Sequence, residues 1–491
     1  MQRLWQAANP GGAARHRVRT GAVSTPLGGS GLVLVLLLCG VALIAGYVNK
    51  SRCTGPDYGP QGRTQPHYQE RVYRDVCYSD IQYLWLGRDV SQHVFPYIHG
   101  GMNDGGQLTG GAVEYPVLTG VLIFTGAVLA HNDGQFLSYS AILLAPFALF
   151  IAWALARLAR WRALIWSFTP PLVLYAFHNW DLAAVACAVA GFFVLIRGWG
   201  SRGAAASLRQ RAILAAVLFG VGFATKFYPA IFVLPLLCYV ATGGESGRHL
   251  RPGKRYDIAA AVQVALAAIG TVVVINAPFA LLGFRGWWAS FAFQQQRKVD
   301  VTTNSIWYWG LQPLSGADGA GFEHAVGLAS PVAILLSFAL ACFLGWRRYR
   351  REGSFPVLAV SAAMLCGFLL LHTVHSPQYM LWLLPMFVLL RIRAGWIVAY
   401  LLADLAIGIG IFRWFYQLDY AHHAAIYQGF AAQAVMIGVW GRAALLVGLF
   451  FAFLAAEPSP VMAPYPRAAA APVTAPRRIR TSGAPTEGRV R

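Results

Sequence analysis

The sequence predicts an all-α, polytopic membrane protein with about twelve transmembrane helices. Of its 491 residues, 57% are hydrophobic and only 12% are charged, whereas soluble domains carry roughly 25% charged residues. A helix needs roughly 20 mostly apolar residues to span a bilayer, and residues 31–48, 136–156 and 328–346 come close to or reach that length. A chain this poor in charge cannot cover a water-facing surface, so a soluble globular domain is excluded.

The net charge of +20 does not indicate a nucleic-acid partner. Nucleic-acid-binding domains gather Lys and Arg on one folded face. Here the basic residues form short clusters between apolar runs, which is how cytoplasmic loops of membrane proteins are held in place.

These clusters orient the predicted spans. Residues 1–30 contain Arg3, Arg15, Arg17 and Arg19 and no acidic residue, so this basic tail is expected in the cytoplasm. No small-x-small cleavage site follows residues 31–48, which are therefore interpreted as a membrane anchor and not as a signal peptide. The other spans are predicted at 136–156, 163–177, 182–196, 212–225, 227–241, 258–280, 327–346, 356–374, 378–390, 395–411 and 429–456.

Residues 49–116 form the predicted first external loop, which holds seven acidic residues. Residues 117–130 are too short to span and are predicted to form an interfacial helix, because counting them as a span would move two arginine clusters to the outside. The transmembrane domain is thus predicted to cover residues 31–456. Residues 457–491 are rich in Pro, Ala and Arg and are predicted to be a disordered cytoplasmic tail. These spans and charge clusters together predict a multi-pass protein of the cell membrane with both termini in the cytoplasm.

Cys53 and Cys77 are the only two of the seven cysteines that lie in a polar segment. Because that segment is predicted to be external, a disulfide between them is expected, with two free thiols as the alternative. The other five lie in apolar runs and are expected to be small core residues. The sequence has no CxxC motif and no Cys/His zinc spacing.

Asp80 is the first candidate for chemistry, in the segment Tyr78-Ser79-Asp80-Ile81 of the first loop. A carboxylate among aromatic side chains such as Tyr78 and Trp85 is expected to have a raised pKa and to suit a general base. The alternatives are a solvated loop acid, or a helix N-cap formed by Ser79 or Asp80.

Two further acidic segments are predicted at the same face. Glu114 and Tyr115 precede Pro116 at the start of the interfacial helix, where an acid and a proline at the first helical position suit capping. Asn179 and Asp181 lie between two predicted spans. An aspartate there is expected to meet a cation, a metal or a substrate, with helix capping as the alternative.

Two basic residues at this face are candidates for phosphate binding. Lys226 is the only basic residue between Arg211 and Arg248, and Arg297 lies in the external segment 294–298. Either could bind a phosphate as a cation or be ordinary surface charge that reaches toward lipid head groups.

A histidine pair completes the set of candidates. His372 and His375, followed by Gln378, are three residues apart and would share a helix face. This spacing is a weak metal signal without a third ligand. Orientation of a hydroxyl or phosphate is the functional interpretation, and a capping cluster is the alternative.

The sequence argues against a nucleotide-activated substrate. No two aspartates are two residues apart, so a DxD motif for a metal-bound nucleotide sugar is lacking, and no P-loop motif occurs.

The chain resembles the GT-C superfamily of integral membrane glycosyltransferases. It is most similar to glycosyltransferase family 87, the polyprenyl-phosphate-mannose-dependent mannosyltransferases of actinobacteria. The resemblance covers roughly residues 75 to 390 and is carried by short ordered motifs: Tyr78-Ser79-Asp80-Ile81, Glu114-Tyr115-Pro116, Asn179-Trp180-Asp181-Leu182, Ala224-Thr225-Lys226-Phe227-Tyr228-Pro229, Asn304-Ser305-Ile306-Trp307 and Ser376-Pro377-Gln378-Tyr379 with Trp382 and Pro385.

This resemblance implies a GT-C-like fold, a catalytic acid in the first external loop at Asp80, and a lipid-phosphate-sugar donor. The acceptor, a lipid or glycan hydroxyl, is not identified by it. In the expected mechanism Asp80 is the base, and Lys226 and Arg297 stabilise the departing phosphate. Substrate contacts are also expected from Glu114, Tyr115, Asn179, Asp181, His375 and Gln378. A single displacement would invert the anomeric centre, with no cofactor and no required metal.

The alternative functions are a lipid or small-molecule transporter or flippase, and a non-catalytic membrane scaffold. A transporter would use charges inside the spans, and only Asp404 and Arg442 are clearly mid-span. These two are expected to face each other, because an unpaired mid-bilayer charge is costly. The alternatives are that Arg442 reaches out of a shorter span or that Asp404 lines a cavity.

Overall fold

The computed structural model describes residues 27–197, 206–250, 252–316, 319–421 and 427–459. The predicted basic tail lies almost entirely outside these residues, as does the predicted C-terminal tail beyond residue 459. The regular secondary structure of the described chain is helical apart from two small antiparallel hairpins, β1 with β2 and β3 with β4, of two residues per strand, and one isolated bridge between Leu390 and Pro458.

The first half contains helices and strands in the order α1 (Gly29–Ser51), β1 (Asp57–Tyr58), β2 (Thr64–Gln65), α2 (Tyr68–Arg74), α3 (Asp80–Gly87), β3 (Gly101–Met102), β4 (Leu108–Thr109), α4 (Val117–Ala127), α5 (Asp133–Ala159), α6 (Leu164–Ser167), α7 (Pro170–Tyr175), α8 (Asp181–Arg197) and α9 (Leu208–Thr225). The second half contains α10 (Val233–Ala241), α11 (Ile258–Leu282), α12 (Phe284–Gln296), α13 (Gln312–Ser315), α14 (Gly319–Glu352), α15 (Val357–Leu371), α16 (Met380–Leu389), α17 (Ala394–Asp419) and α18 (Phe430–Ala455).

The protein is an all-α, multi-pass membrane protein, as predicted. Within the described residues, seven helical segments are long and apolar enough to cross a membrane: α1, α5 with α6, α9, α11, α14, α17 and α18. Their apolar side chains face outward in a way that only lipid would tolerate, as Leu281 on α11 is 85% exposed. In contrast, all ten residues of α16 are buried, between α5, α6, α8 and α15.

The other five predicted spans correspond to shorter helices. Those at 182–196, 227–241, 356–374 and 378–390 match α8, α10, α15 and α16, which have 17 residues or fewer. The prediction of one continuous helix over 163–177 was wrong, because the chain breaks between α6 and α7 at Phe168 and Thr169. Thr169 precedes Pro170, and the residue before a proline is driven out of helical geometry.

The predicted interfacial segment forms α4, which has 11 residues and is about 16 Å long at 1.5 Å per residue. That length is too short to cross a bilayer. The helix therefore fits the predicted interfacial placement, while its position in a membrane and the side on which it lies remain predictions.

The first loop, residues 52–116, is tied to the helix ends beneath it. Asp133, at the start of α5, is fully buried and accepts hydrogen bonds from Arg63 Nη1 at 3.0 Å and from the Thr64 hydroxyl at 2.6 Å. Cys53 and Cys77 are joined in a disulfide, which confirms that prediction. These links hold the loop against the bundle close to Asp80.

Helix α12 packs along the same loop. A Cβ atom on Gly283 or Gly286 would lie within 2.6 Å of backbone oxygens of residues 97–99, so only glycine permits this approach. At the other end, Gln294 Nε2 donates to the Glu114 carbonyl at 2.8 Å, and the Arg88 guanidinium lies over the Phe293 ring. The first loop and α12 thus form one layer, called the loop layer below.

Candidate active site

Asp80 is the first residue of α3, and the backbone around it is fixed by the segment before α8. Ser79 is the N-cap of α3: its hydroxyl accepts from the Ile81 N–H at 3.2 Å and donates to the Phe177 carbonyl at 2.7 Å. The Asp80 N–H donates to the His178 carbonyl at 2.8 Å. Capping is therefore done by Ser79, and the Asp80 carboxylate is left for another role.

Asn179 connects Asp80 to a lysine. Its Nδ2 donates to Asp80 Oδ2 at 2.7 Å and to the Tyr115 hydroxyl at 2.9 Å. Its Oδ1 accepts from Lys226 Nζ at 3.1 Å and from the Trp180 N–H at 2.6 Å. The amide orientation is thus determined by contacts at both ends.

Asp181 meets a cation, which is one of the three partners expected for it, and that cation is Lys226. Their Nζ and Oδ2 atoms are 2.8 Å apart, with side-chain exposures of 12% for Lys226 and 1% for Asp181. The other oxygen, Oδ1, accepts from Trp382 Nε1 at 2.6 Å. Both oxygens are therefore bound by protein side chains, which leaves capping and metal binding without support at this residue.

Trp382 is the centre of an aromatic stack behind the ion pair. Its ring lies 4.2 Å from Tyr228 and 3.8 Å from Tyr379, centroid to centroid, and nearly parallel to both. The Lys226 ammonium is 5.4 Å from the Tyr115 ring centre and 6.0 Å from that of Tyr379. We call Asp80, Tyr115, Asn179, Asp181, Lys226 and Trp382 the Asp80 cluster.

Four helix ends and one buried helix assemble this cluster. Asp80, Tyr115 and Asp181 lie at or just before the starts of α3, α4 and α8, and Lys226 follows the last residue of α9. The Thr119 hydroxyl of α4 donates to the Thr225 carbonyl at 2.6 Å. This bond fixes the start of α4 against the end of α9, which places Tyr115 beside Lys226.

The surroundings of Asp80 suit a proton acceptor. The side chain is half-buried, and burial raises the pKa of its carboxyl, while the hydrogen bond from Asn179 and the charge of Lys226 oppose that rise. Burial also raises the pKa of the neighbouring Tyr78 hydroxyl well above its usual value, and the charge of Asp80 adds to that rise. Asp80 is thus a polarised carboxylate that remains reachable from solvent.

Glu114 is placed differently from the prediction. Helix α4 begins at Val117 with Pro116 as its N-cap, and Glu114 instead binds Arg88 at 2.8 and 3.3 Å. The helix-capping interpretation was therefore wrong. Glu114 is part of the loop layer, and its charge raises the pKa of Asp80.

Arg297 follows α12 and is exposed. It borders a groove of about 450 Å³ that is also lined by Lys298, Glu323 and Thr373. Lys298 is paired with Glu323 at 3.1 Å. The charge of Arg297 acts on Tyr379, the same ring that Lys226 approaches.

His375 and Gln378 lie outside the Asp80 cluster. Helix α15 ends at Leu371, so His372 and His375 do not share a helix face, which corrects the prediction. The His375 N–H donates to the Thr303 carbonyl at 2.6 Å, and burial and the charge of Arg442 hold the pKa of its ring well below the usual range. Gln378 Oε1 accepts from the Ser376 hydroxyl.

Asp404 and Arg442, which were predicted to lie close together, form no direct ion pair in the described part of the chain. Both are buried, at 1% and 2% exposure, and their charges act on each other. Arg442 Nη2 instead donates to the Asn304 carbonyl at 3.1 Å, and the Asp404 oxygens have no hydrogen-bond partner among the described residues. The partner of Arg442 is thus the Asn304 carbonyl of a loop. The pattern of charges within the spans could not predict this partner.

One residue near Asp80 escaped the sequence analysis. Lys50, in the last turn of α1, is 2% exposed, and its Nζ donates to the Tyr78 carbonyl at 2.6 Å. The available signal was a lysine directly after a long apolar run, which is ordinarily interpreted as a charge that reaches the membrane surface.

The fold and site define a multi-pass membrane protein with a hydrogen-bonded carboxylate–amide–lysine cluster where its loops meet its helix ends. Across the described ranges, no group of three or more His, Cys, Asp or Glu side chains is arranged to hold a metal ion.

Comparisons with known proteins give distant structural likenesses. No protein-family model matches the chain, and no curated protein matches it. The structure of ArnT from Cupriavidus metallidurans in the apo state is similar over 87% of this chain and 77% of that one, with a TM-score of 0.36 and 14% identity. The structure of the same protein bound to undecaprenyl phosphate has a TM-score of 0.36 and 15% sequence identity to this chain.

The oligosaccharyltransferase of Archaeoglobus fulgidus, in complex with Zn and sulfate, is similar over 84% of this chain and 53% of its own, with a TM-score of 0.37 and 11% identity. This chain thus spans about half the length of that protein. Because TM-scores and identities are this low, the likenesses do not decide the chemistry of this chain, which rests on its own residues.

Proposed function

We propose that the protein is a GT-C-type membrane glycosyltransferase that moves a sugar, mannose, from a polyprenyl-phosphate carrier to a hydroxyl of a lipid or glycan acceptor. The observation that supports this proposal most directly is that motifs far apart in the sequence lie together in the structure. The segments around Asp80, Tyr115, Asn179, Lys226 and Trp382 carry the resemblance to glycosyltransferase family 87. Hydrogen bonds join these five residues, together with Asp181, in one cluster. A set of helix caps or surface charges would have no reason to meet in this way.

Asp80 is the proposed base. It accepts the proton of the acceptor hydroxyl while that oxygen bonds to the anomeric carbon and the bond from this carbon to the phosphate oxygen breaks. The lipid phosphate leaves with the electron pair of the broken bond. Because attack and departure occur on opposite sides of the sugar, the anomeric configuration inverts. The bond from Asn179 at 2.7 Å orients the carboxylate for this transfer.

Lys226 and Arg297 are the proposed phosphate contacts. The bonds to Asp181 and Asn179 orient the Lys226 ammonium and leave its third N–H for a ligand oxygen. Arg297 is exposed and has no ion-pair partner among the described residues. Two cations beside the leaving group stabilise the charge that develops on it.

The remaining parts of the proposal follow from composition and resemblance. The apolar spans would accommodate a polyprenyl tail, and the reaction would occur at the external face of the cell membrane, with both termini in the cytoplasm. His375 and Gln378 are proposed to line the substrate region through their neighbour Tyr379, whose ring lies 5.6 Å from that of His375. No cofactor takes part.

The test is transfer by the purified protein in lipid nanodiscs. Polyprenyl-phosphate-[¹⁴C]mannose is supplied with an acceptor-containing lipid and glycan extract, and the same donor carrying glucose or arabinose tests the sugar. Labelled product from the mannose donor, absent in the Asp80→Asn variant, is expected. Movement of the donor across a vesicle membrane without any product would favour the transporter alternative, and neither product nor movement would favour a scaffold.

A further inference from the structure

The end of α11 and the start of α12 share an exposed apolar surface. Leu281 and Leu282, the last residues of the apolar span α11, are 85% and 71% exposed. Phe284 and Trp288, which follow on α12, are 60% and 44% exposed, and their rings are stacked with centroids 6.2 Å apart. The lipid-facing surface of α11 therefore continues onto one face of α12.

Helix α12 is amphipathic in its packing. Phe284 and Trp288 are four residues apart and share one face, while Gly286, Ala289 and Ser290 on the opposite face are buried. The helix has 13 residues and is about 20 Å long at 1.5 Å per residue, which is too short to cross a bilayer. A short helix with one large apolar face is suited to lie in the plane of a membrane interface.

A hydrogen bond to α11 determines the direction of α12. Trp287 Nε1 donates to Asn276 Oδ1 of α11 at 3.0 Å, across a sequence separation of 11 residues. One straight helix over that separation would be about 16 Å long, so the chain turns at Gly283 and α12 folds back beside the end of α11. Gln294 holds the other end of α12 to the Glu114 carbonyl. The exposed aromatic face is thus fixed relative to the span.

Aromatic side chains of the first loop and of α4 lie at the same end of α11. The Phe95 ring of the first loop is 6.4 Å from that of Phe279 on α11 and 5.0 Å from that of Phe124 on α4, centroid to centroid. Leu129, just beyond α4, is 69% exposed. Helix α12 and α4, for which the sequence predicts an interfacial position, therefore flank the same end of one span. Tryptophan rings concentrate at the level of the lipid head groups.

We propose that α12 is an interfacial helix in addition to α4, and that its Phe284–Trp288 face lies in the lipid head-group region beside the end of α11. The bilayer is the partner of this face, and not a second protein, because the face continues the lipid-facing surface of Leu281 and Leu282. This placement does not depend on the proposed function. One consequence does: Arg297, directly after the last residue of α12, would lie at the depth of the carrier phosphate.

The first experiment is quenching of tryptophan fluorescence in nanodiscs that contain only the purified protein. The quenchers are phosphatidylcholine brominated near the head group, phosphatidylcholine brominated near the end of the acyl chain, and aqueous iodide. Trp288→Phe should lose part of the parent's quenching by the shallow bromines, less of that by the deep bromines, and almost none of that by iodide. Trp309→Phe, which removes a fully buried ring, is the matched control and should lose none.

Three results would overturn the proposal. Shallow-bromine quenching that is unchanged in Trp288→Phe would mean that the ring does not meet lipid. A loss confined to iodide quenching would mean that the face is open to water, as a surface awaiting a protein partner would be. A larger loss with the deep bromines would place α12 in the hydrocarbon core.

The second experiment is backbone hydrogen exchange over α12 in the same nanodiscs. Trp288→Glu places a charge on the proposed lipid face, so exchange over this helix should become several-fold faster. Trp288→Phe keeps an apolar ring and should exchange as the parent does. Gln296→Glu adds a charge at an exposed position at the end of the same helix and is the control. Equal exchange in Trp288→Glu and the parent would contradict the docking. Should Trp288→Glu not fold, the quenching of Trp288→Phe decides.

Neither measurement requires turnover, so the two proposals can fail separately. Shallow lipid quenching of Trp288 without detectable glycosyl transfer retains the interfacial helix and rejects the proposed function. Glycosyl transfer by a protein whose Trp288 is quenched only by iodide retains the function and rejects the interfacial helix.

Discussion

The Asn179 side-chain nitrogen lies 2.7 Å from the Asp80 carboxylate, although the two residues are separated by almost a hundred positions in the chain. The same amide accepts from Lys226 and so places a carboxylate and a cation at its two ends. A base and a phosphate-binding group at this spacing are what the proposed displacement requires.

Replacing Asp80 by Asn should abolish most of the transfer. The change is nearly isosteric and removes the proton acceptor, so kcat should fall about 100-fold or more while the protein stays folded. Transfer of labelled mannose and size-exclusion chromatography measure the two effects. Asp104→Asn, an exposed acid of the same loop, should be unaffected; equal loss in both variants would remove Asp80 from the mechanism.

Replacing Asn179 by Ala should change the pH profile as well as the rate. Its hydrogen bond lowers the pKa of Asp80 against the rise caused by burial, so without it that pKa increases further. The acid limb of kcat/KM should then move to higher pH, and kcat should fall by about 10- to 100-fold for the loss of a bond to a charged group. A rate loss with an unchanged limb would mean that Asn179 orients substrate and does not act on Asp80.

Replacing Lys226 by Met should reduce both stability and donor binding. It leaves the carboxylate of Asp181, 1% exposed, without its cation, a situation that costs about 3–5 kcal/mol. Adding Asp181→Leu should restore much of the melting temperature but not the affinity for polyprenyl phosphate. If the stabilised double variant binds polyprenyl phosphate as the parent does, Lys226 is structural only.

Replacing Arg297 by Gln should weaken the donor without loss of stability, because its side chain is exposed and no described residue pairs with it. The KM for the donor should rise about 10-fold for a lost phosphate contact, and that for the acceptor should not change. Lys298→Met, which breaks only the exposed pair with Glu323, is the neighbouring control. Equal donor affinity in Arg297→Gln and the parent would contradict the assignment.

Removing the Cys53–Cys77 disulfide should destabilise the first loop. The bond closes a segment with a sequence separation of 24 and stabilises the fold by about 3 kcal/mol in the chain-entropy model. The Cys53→Ser/Cys77→Ser variant should melt at lower temperature and lose activity at a lower temperature than the parent. Mass spectrometry without reduction checks the bond itself, and alkylation of both thiols in the native protein would contradict it.

Apolar composition was enough to predict the all-α membrane fold, since the length and hydrophobicity of runs such as that of α11 depend only on local sequence. Helix ends were less predictable. The break at Phe168 and Thr169 and the end of α15 at Leu371 depend on proline geometry and on loop packing. The candidate residues were found because polar side chains at the ends of apolar runs are costly and so draw attention.

The sequence by itself determined that the protein lies in a membrane and which short polar segments carry the resemblance to membrane glycosyltransferases, and it predicted the disulfide between Cys53 and Cys77 that the structure contains. Only the tertiary structure decided which of these residues meet. It joined Asp80 to Asn179 and Lys226, directed Glu114 to Arg88 and Arg442 to the Asn304 carbonyl, and placed Lys50 beneath Tyr78. The physical reason is that hydropathy is a sum over neighbouring residues, whereas a hydrogen bond or ion pair is set to within a few tenths of an ångström by helices that are distant in the chain.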